Sequence, residues 1–558
     1  CVECSDFPCA KYDKETGEPI LFTNVLLKGT TYGVATDVNG YYSITNIPPG
    51  NYKLITTSIG YDSAIVDITV RTAEILTKTL TITKSAINLM DVEISGEREA
   101  AKTEVRTSVN KVTPREIKMV PSVGGEPDLA QYLQVLPGVV FSGDQGGQLY
   151  IRGGTPVMNK VLMDGMVIYN PFHSIGLFSV FDPDIIRNAD VYTGGFSAEY
   201  GGRISSVMDI TTRDGNKKRF AGKVSANPFT SKILFEGPIS KQKTENGSGS
   251  TFIFTAKNSY LDKTSPTLYS YIDEKGLPYS FMDIYGKATT YGSNGSKFSL
   301  FGFQFKDDAN YRFITDNSWK SSGGGFNFVL VPGGSSNLID GNFAFSKYKI
   351  SQSEAEQLPR FSSVNGFNLD MNFTNFMGRN EIKYGFQILG YKTSFETYNI
   401  LNIKAEQTEN TTEFGCFVKY RIVKNKIVID PSIRLHYYAS LSEFSPEPRI
   451  GFKYNITDKL RFKLAGGMYA QNLLSSVSDR DVVNIFYGFL SGPETLPDEF
   501  QGKEVNSRLQ KSRDVIAGAE IDLAKHLSLN IEAYYKDFYQ LTNVNRDKIY
   551  PDNGNYDD

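Results

Sequence analysis

Apolar and polar positions alternate through most of the chain's second half. In "GFNLDMNFTNF", Phe367, Leu369, Met371 and Phe373 share one face of an extended backbone, and Asn368, Asp370, Asn372 and Thr374 share the other. "NEIKYGFQILGYK" groups Ile382, Tyr384, Phe386 and Ile388, and "KLRFKLAGG" sets Leu460, Phe462 and Leu464 against Arg461 and Lys463. "HLSLNIEAYYKDFYQL" runs from Leu527 through Leu529, Ile531 and Ala533 to Tyr535. Side chains of a strand point alternately to its two faces, so each segment predicts a strand with one greasy and one polar face. Such segments recur about fifteen times from residue 217 onwards, joined alternately by short turns and longer polar loops. Roughly 340 residues of this kind, with hardly a helix, exceed what one aqueous core can enclose. A barrel with lipid outside and a polar lumen requires this alternation. The reading is a transmembrane antiparallel β-barrel over 217–558, with Tyr and Phe at strand ends forming interfacial girdles. Cys416, in "EFGCFVKY", shares the parity of Phe414 and Val418 and is expected to face lipid. The ending "IYPDNGNYDD" reads as a loop, so further strands are expected beyond the sequence as given.

Two other regimes precede the alternating one. Residues 11–85 hold short β-type runs, among them "NYKLITTSIGY" and "AIVDITV", cut by turn residues such as Asn39-Gly40 and Pro48-Pro49-Gly50. That spacing predicts a small β-sandwich. No opening strand is recognisable in "CVECSDFPCAKY". Residues 86–106 read as a linker with a short alternation of Met90, Val92 and Ile94 against Asp91, Glu93 and Ser95. It is either a last strand with a tether, or a strand kept free to pair with a partner's sheet edge. Residues 107–216 read as a Gly-rich α+β unit with a helix over 126–136 and several short strands. Asp182 and Asp184, in "FDPDIIR", are read as the N-cap of a helical turn that enters a strand. In "QLYIRGGTPVMNKVLMDGMVIYN" the pair Asp164-Gly165 predicts a turn between two strands.

Composition narrows the function classes. The formal net charge of −3 gives no electrostatic case for nucleic acid. No apolar run reaches ~18 residues, so no transmembrane helix is predicted, which leaves a barrel untouched. No secretory signal opens the sequence as given. Cys1, Cys4 and Cys9 crowd the start, but a fourth nearby metal ligand is lacking, since the first histidine is His173. A disulfide or a lipid-bearing Cys1 both stay open. "GDQGGQ" lacks the Lys-Ser/Thr of a phosphate loop. His436 and His526 fall in predicted strands and read as structural. No nucleophile–base pair can be assembled, so no enzymatic activity, metal or cofactor is expected.

An ordered set of motifs then carries a resemblance. "LPGV" (136–139), "IRGG" (151–154), "VLMDG" (161–165) and "EYGGRISSVMDITTRDG" (199–215) are followed by the strand-like "FSPEPRIGFKYNITDKLRFKLAGGMYAQN" (444–472) and "NIEAYYKDFYQLTN" (530–543). In this order they resemble the TonB-dependent outer-membrane receptors. "TGEPILFTNVLLKGTTYGVATDVNGYYSITNIPPGNYKLITTSIGY" resembles the carboxypeptidase-regulatory-like domain set ahead of the plug in such receptors of Bacteroidetes-type bacteria. That name is no sign of peptidase activity, because no histidine precedes His173.

The resemblance implies a mainly β chain: the N-terminal β-sandwich in the periplasm, an α+β plug domain over 107–216, and an outer-membrane barrel of about 22 strands, incomplete here. It implies a TonB box at Leu89, Met90, Asp91, Val92, Glu93, Ile94 and Ser95, pulled by a TonB-type energising protein. It places Arg152 and Arg203 where plug arginines latch to the wall. Glu447, Glu520 and Glu532, at polar-face positions of strands, are the wall candidates. Ligand contact is expected from the apex loops at Asp144, Gln145, Tyr169, Asn170, Phe172 and His173. The expected function is active import of a scarce, unidentified solute across the outer membrane. The alternative is a non-transporting receptor-like subunit of an outer-membrane assembly or secretion complex. Outer-membrane lipids, and a surface lipoprotein or a larger complex, complete the expected surroundings.

Overall fold

The computed structural model describes residues 8–71, 80–83 and 107–542, apart from short stretches within them. The expected TonB box (Leu89 to Ser95), Asp144, Gln145, His526, Cys1 and Cys4 lie outside the described residues.

The N-terminal region is two small sheets face to face. One orders Gly33–Ala35, Asn24–Leu27, Gly50–Thr57 and Ala64–Val70; the other orders Tyr41–Ser43, Pro8–Asp13 and Leu80–Ile82. Val25, Leu27, Ile47, Leu54 and Ile68 fill the space between them. An opening strand does exist, contrary to the sequence reading. Pro8–Asp13 pairs antiparallel with Tyr41–Ser43 through its first half and parallel with Leu80–Ile82 through its second. Its own letters hold too little apolar alternation to announce a strand; its two neighbours supply the ladder.

The next unit is a mixed sheet in the order Met166–Val167, Asn159–Met163, Ser206–Thr212, Ile186–Tyr192 and Val109–Val112. Helix Pro114–Met119 starts on a reciprocal cap between Thr113 and Glu116. The helix expected over 126–136 is shorter, Leu129–Leu133, because Asp128 caps it by accepting from the Ala130 amide. No helix follows Asp182, which corrects the N-cap reading. Asp182 Oδ1 accepts from the Asp184 amide in a turn, and the strand begins at Ile186.

Most of the remaining chain forms one antiparallel sheet of fifteen strands, from Ala221–Ala226 to Leu527–Gln540, in which each strand pairs with the next one of the sheet along the chain. Its parity is the reverse of a soluble protein's. On the eleventh strand, Ile427–Tyr438, Arg434 and His436 are 0% and 1% exposed, while Ile433 and Leu435 are each 42% exposed. Phe414, Phe444, Ile450, Leu464, Val515 and Ile531 line the same apolar exterior, and Cys416 is exposed among them. The sheet curls around the α+β unit. That unit bonds to Lys232 on the second strand, Lys287 on the fourth, Lys383 on the ninth and Glu532 on the fifteenth. One continuous buried cluster joins the inner unit to the wall.

An apolar exterior of this kind, set in lipid, would reject charge. Replacing Leu464 by Arg is expected to destabilise the folded sheet by about 2–4 kcal/mol in lipid vesicles. Urea unfolding followed by heat-modifiable gel mobility measures it, and an unchanged midpoint would contradict a lipid-facing exterior.

Candidate functional site

The inner unit meets the wall at a turn first. Leu162 pairs with Val167 and Met163 with Met166, so Asp164 and Gly165 form the tight turn between them. Both have positive φ, 51° and 87°, the signature of a hairpin turn that Asp-Gly adopts readily. The turn carries more than geometry. The Asp164 carboxylate accepts from the Thr212 amide at 3.0 Å, Thr212 Oγ1 at 2.6 Å and Tyr285 Oη at 2.5 Å, with Lys287 Nζ at 3.4 Å. Burial favours the neutral acid, but Lys287 and the donors outweigh it and hold the carboxyl below its ordinary range. An ionised, fully engaged carboxylate has no proton to give, so Asp164 is a fastener. Asn368 Nδ2 donates to the Gly165 carbonyl at 2.8 Å, seating the tip on the eighth strand.

Arg152 makes the second junction. Its Nη2 lies 2.7 Å from Glu532 Oε2 on the last strand, and Nη1 donates to Ser108 Oγ at 3.0 Å. Ser108 in turn donates to Glu532 through its hydroxyl at 2.7 Å and its amide at 3.1 Å. The guanidinium also stacks over Tyr534, 4.6 Å from the ring centre. Of the residues picked as latches, Arg152 and Glu532 are brought together.

The other three are not, and each is a correction. Arg203 reaches no carboxylate among the described residues; its Nη1 donates to the neighbouring Gly202 carbonyl at 2.6 Å. Glu520 serves the wall alone, binding Arg461 and Lys463 on the adjoining strand. Glu447 pairs with Arg449 at 2.5 Å on its own strand. Through that pair the polarity of the junction reverses, because it is the wall that supplies the cation. Arg449 Nη1 takes the carbonyls of Ser197 and Tyr200, both at 2.7 Å. Arg434 reaches Ala198 O at 3.4 Å, Ser512 Oγ reaches Ile204 O at 2.8 Å, and Lys536 reaches Ser205 O at 2.7 Å. Residues 196–205 thus form a strap whose backbone carbonyls are held by wall donors. Gly201 leaves room there for the Arg434 guanidinium, since a Cβ would stand 2.1 Å from Arg434 Nε. The polar parity of Arg434, Arg449 and Lys536 was readable from sequence, but a main-chain carbonyl leaves no mark in a sequence.

Asp182 and Asp184 hold Lys232 at 3.0 and 2.8 Å, and Glu199 holds Lys383 at 2.6 Å. His173 corrects the expectation of an outward-facing ligand contact. It is fully buried, with Nε2 3.0 Å from Asp283 and Nδ1 3.1 Å from Asp307, both on the wall, and its ring stacks on Phe281 at 3.8 Å. With both carboxylates ionised, each ring nitrogen carries a proton and donates, which makes the ring an imidazolium. Burial opposes that charge, yet the two carboxylates outweigh it and hold the pKa up at about 9. The nitrogens diverge, so the three side chains form an ion-paired bridge rather than a ligand set. Among the described residues no cluster fits a metal ion.

Beside this bridge the apex opens into a cleft. Tyr169, Asn170 and Phe172 line it with Gln148, Trp319 and Tyr487. Phe172 is itself buried, with Phe141 edge-on at 5.0 Å. Tyr487 belongs to the long connection after the thirteenth strand, whose hairpin Leu473–Ser475/Phe489–Ser491 folds inward. Ser362 Oγ donates to Phe489 O at 3.3 Å, and Tyr169 meets the Phe489 ring at 5.6 Å. The sequence held no signal for this inward fold.

With this geometry, comparison with known proteins becomes specific. Residues 12–94 match the CarboxypepD_reg-like domain, and residues 101–207 match the TonB-dependent Receptor Plug Domain. The chain is 26% identical over 241 residues to the TonB-dependent receptor SusC of Bacteroides thetaiotaomicron, covering 41% of this chain and 22% of SusC. It is 28% identical over 211 residues to the TonB-dependent receptor P39 of Formosa agariphila, covering 36% and 19%. These matches span only about a fifth of either relative. The fold is similar to a mutant of the ferric enterobactin receptor PfeA of Pseudomonas aeruginosa (TM-score 0.57, 13% identity, 79% of this chain and 72% of that one). It is also similar to the FrpB iron transporter of Neisseria meningitidis (TM-score 0.56, 12% identity, 77% and 72%).

The His173 bridge has a defined pH signature. A raised folded-state pKa contributes stability fully below the ordinary value near 6.5 and loses it as pH rises through about 9. His173→Gln strands two buried carboxylates, so a loss of ~3–5 kcal/mol is expected at pH 7. Unfolding of purified protein at pH 7 and pH 10 reads it: the gap between wild type and variant narrows at the higher pH, and an equal gap at both excludes the bridge.

Proposed function

We propose that this relative of the TonB-dependent receptors is an outer-membrane importer: a solute binds at the apex cleft, and pulling on the segment at Leu89 to Ser95 loosens the plug. The arrangement of Arg152, Ser108 and Glu532 carries this reading. Ser108 stands at the start of the plug, directly after the 86–106 linker, and Glu532 grips it through both hydroxyl and amide. Tension along the linker therefore meets this bracket before any other plug–wall junction among the described residues. The bracket is suited to that task. A buried ion pair adds little net stability while intact, but opening it uncovers charges in a low-dielectric lumen. It therefore resists thermal fluctuation and yields to applied force.

A filled lumen supports import with no open pore. The plug stays fastened at Asp164, His173, Asp182 and the carbonyl strap while the bracket gives way. On this reading the apolar exterior faces outer-membrane lipid, the β-sandwich lies in the periplasm, and a TonB-type protein pairs with the Leu89 to Ser95 strand through backbone bonds.

Deleting residues 89–96 is expected to abolish energy-dependent uptake while binding at the cleft survives. Glu532→Gln is expected to weaken plug retention, seen as entry of a large polar antibiotic into cells expressing it. Arg152→Gln should do the same, and the double variant should be no leakier than either single one, because both act on one bracket. Unchanged growth and uptake in the 89–96 deletion, with complex formation that still requires the barrel, would instead support a non-transporting subunit.

A further inference from the structure

The N-terminal β-sandwich meets the rest of the chain at a turn. Asp13 closes that turn. Its amide donates to the Glu18 carbonyl at 2.8 Å, and its carboxylate accepts from the Thr16 amide at 3.1 Å and from Tyr61 Oη at 2.7 Å. The turn presents two carbonyls and a carboxylate to residues 213–218, where the plug passes into the first wall strand. The Lys217 amide donates to Thr16 O at 3.0 Å, and Lys218 Nζ donates to Lys14 O. Glu18 Oε1 lies 3.6 Å from Arg213 Nη1.

This contact is built to open. Arg213 is already engaged without Glu18. Its two terminal nitrogens fork onto Glu236 of the second wall strand at 2.5 and 3.0 Å, and its Nε donates to Asp184 O at 2.6 Å. Glu18 adds a longer contact to a guanidinium that has its partners. Burial pushes the Glu18 carboxyl up, and Arg213 and Arg187 offset this only in part. Undocking therefore returns one carboxylate to water and leaves the Arg213–Glu236 fork in place. The plug's own fastenings are undisturbed when the turn leaves.

The same turn fixes where the linker starts. The Lys14 amide donates to Ile82 O at 2.8 Å, and Thr83 O accepts from the Asp62 amide at 2.9 Å. Thr83 is thus tied beside the docked turn, while Ser108 is tied to Glu532. In sequence, Leu89 to Ser95 lies between these two anchors. The arm from Thr83 to Leu89 is six residues, and the arm from Ser95 to Ser108 is thirteen. At full extension they reach about 20 Å and about 45 Å. A pull on the segment draws the shorter arm taut first. We infer that the docked β-sandwich is a catch that takes the load before the plug, and that it must leave the 213–218 crossover before tension reaches the Arg152 bracket. Its purpose rests on the import reading, but docking and the order of release do not require transport.

Lys14 and Lys218 bring two amines to the contact. The full chain in lipid nanodiscs, treated with disuccinimidyl glutarate, should yield a Lys14–Lys218 bridge in peptide mass maps. Glu18→Arg sets a cation against Arg213 and Arg187 and should cut that bridge about fivefold at unchanged thermal stability. A handle on Val92 then pulls the same chain in optical tweezers. Wild type should give two ruptures about 20–30 Å of extension apart, the first at the lower force. Glu18→Arg should lose the first rupture and keep the second at the same force. Lys218→Ala, which leaves the β-sandwich untouched, should lower the first alone, and Arg152→Gln should lower the second alone. No bridge, a single rupture in wild type, or a first rupture unchanged by both Glu18→Arg and Lys218→Ala overturns the inference. Ordered ruptures in a chain whose 89–96 deletion leaves uptake unchanged overturn the transport reading and leave the catch standing.

Discussion

The interaction on which the rest depends is the burial of charge between plug and wall. A sheet with an apolar exterior must turn its polar face inward. That face carries Lys232, Asp283, Lys287, Asp307, Arg434 and Arg449, all at most 8% exposed. Buried as they are, these groups would be too unfavourable to keep ionised and unpaired. They are tolerated because the plug brings matching groups to them: carboxylates at Asp164, Asp182 and Glu199, cations at Arg152 and His173, and bare carbonyls along 196–205. The plug is therefore the second half of the wall's hydrogen-bonding scheme as well as a stopper.

This construction shapes how the two parts separate. Apolar packing is non-directional, whereas each ionic junction has a fixed geometry and fails when that geometry is lost. The junctions also sit on different strands, from Lys232 on the second to Glu532 on the last, so they need not fail together. Where a fastening uses main-chain carbonyls, as Arg449 does on Ser197 and Tyr200, its strength is independent of the strap's side chains. At Gly201 a larger residue would have to displace the buried Arg434 guanidinium that holds the strap.

Particular elements show why parts of this were legible. Strand parity was, because a two-residue period is written directly in the letters: Leu460, Phe462 and Leu464 against Arg461 and Lys463 lie on opposite faces in the structure too. The Asp164-Gly165 turn was, because its positive φ values suit Asp and Gly. The pairing of the polar-face residues was not. Glu447, Glu520 and Glu532 have the same parity and similar surroundings in sequence, yet one meets the plug directly, one reaches it through Arg449, and one bonds only to neighbouring strands. His173 looked like a loop residue open to ligand because Asp283 and Asp307 lie more than a hundred residues away.

The sequence by itself determined the alternating strands of the large sheet, their two unlike faces and the Asp164-Gly165 turn. Those follow from local backbone preference and from a period that any stretch of chain carries alone. Only the tertiary structure decided which charge meets which, that the Leu473–Ser475/Phe489–Ser491 hairpin folds inward, and that Tyr169, Trp319 and Tyr487 line one cleft. Those depend on how far the sheet curls and how deep the plug sits, so they join residues that share no neighbourhood until the chain is folded.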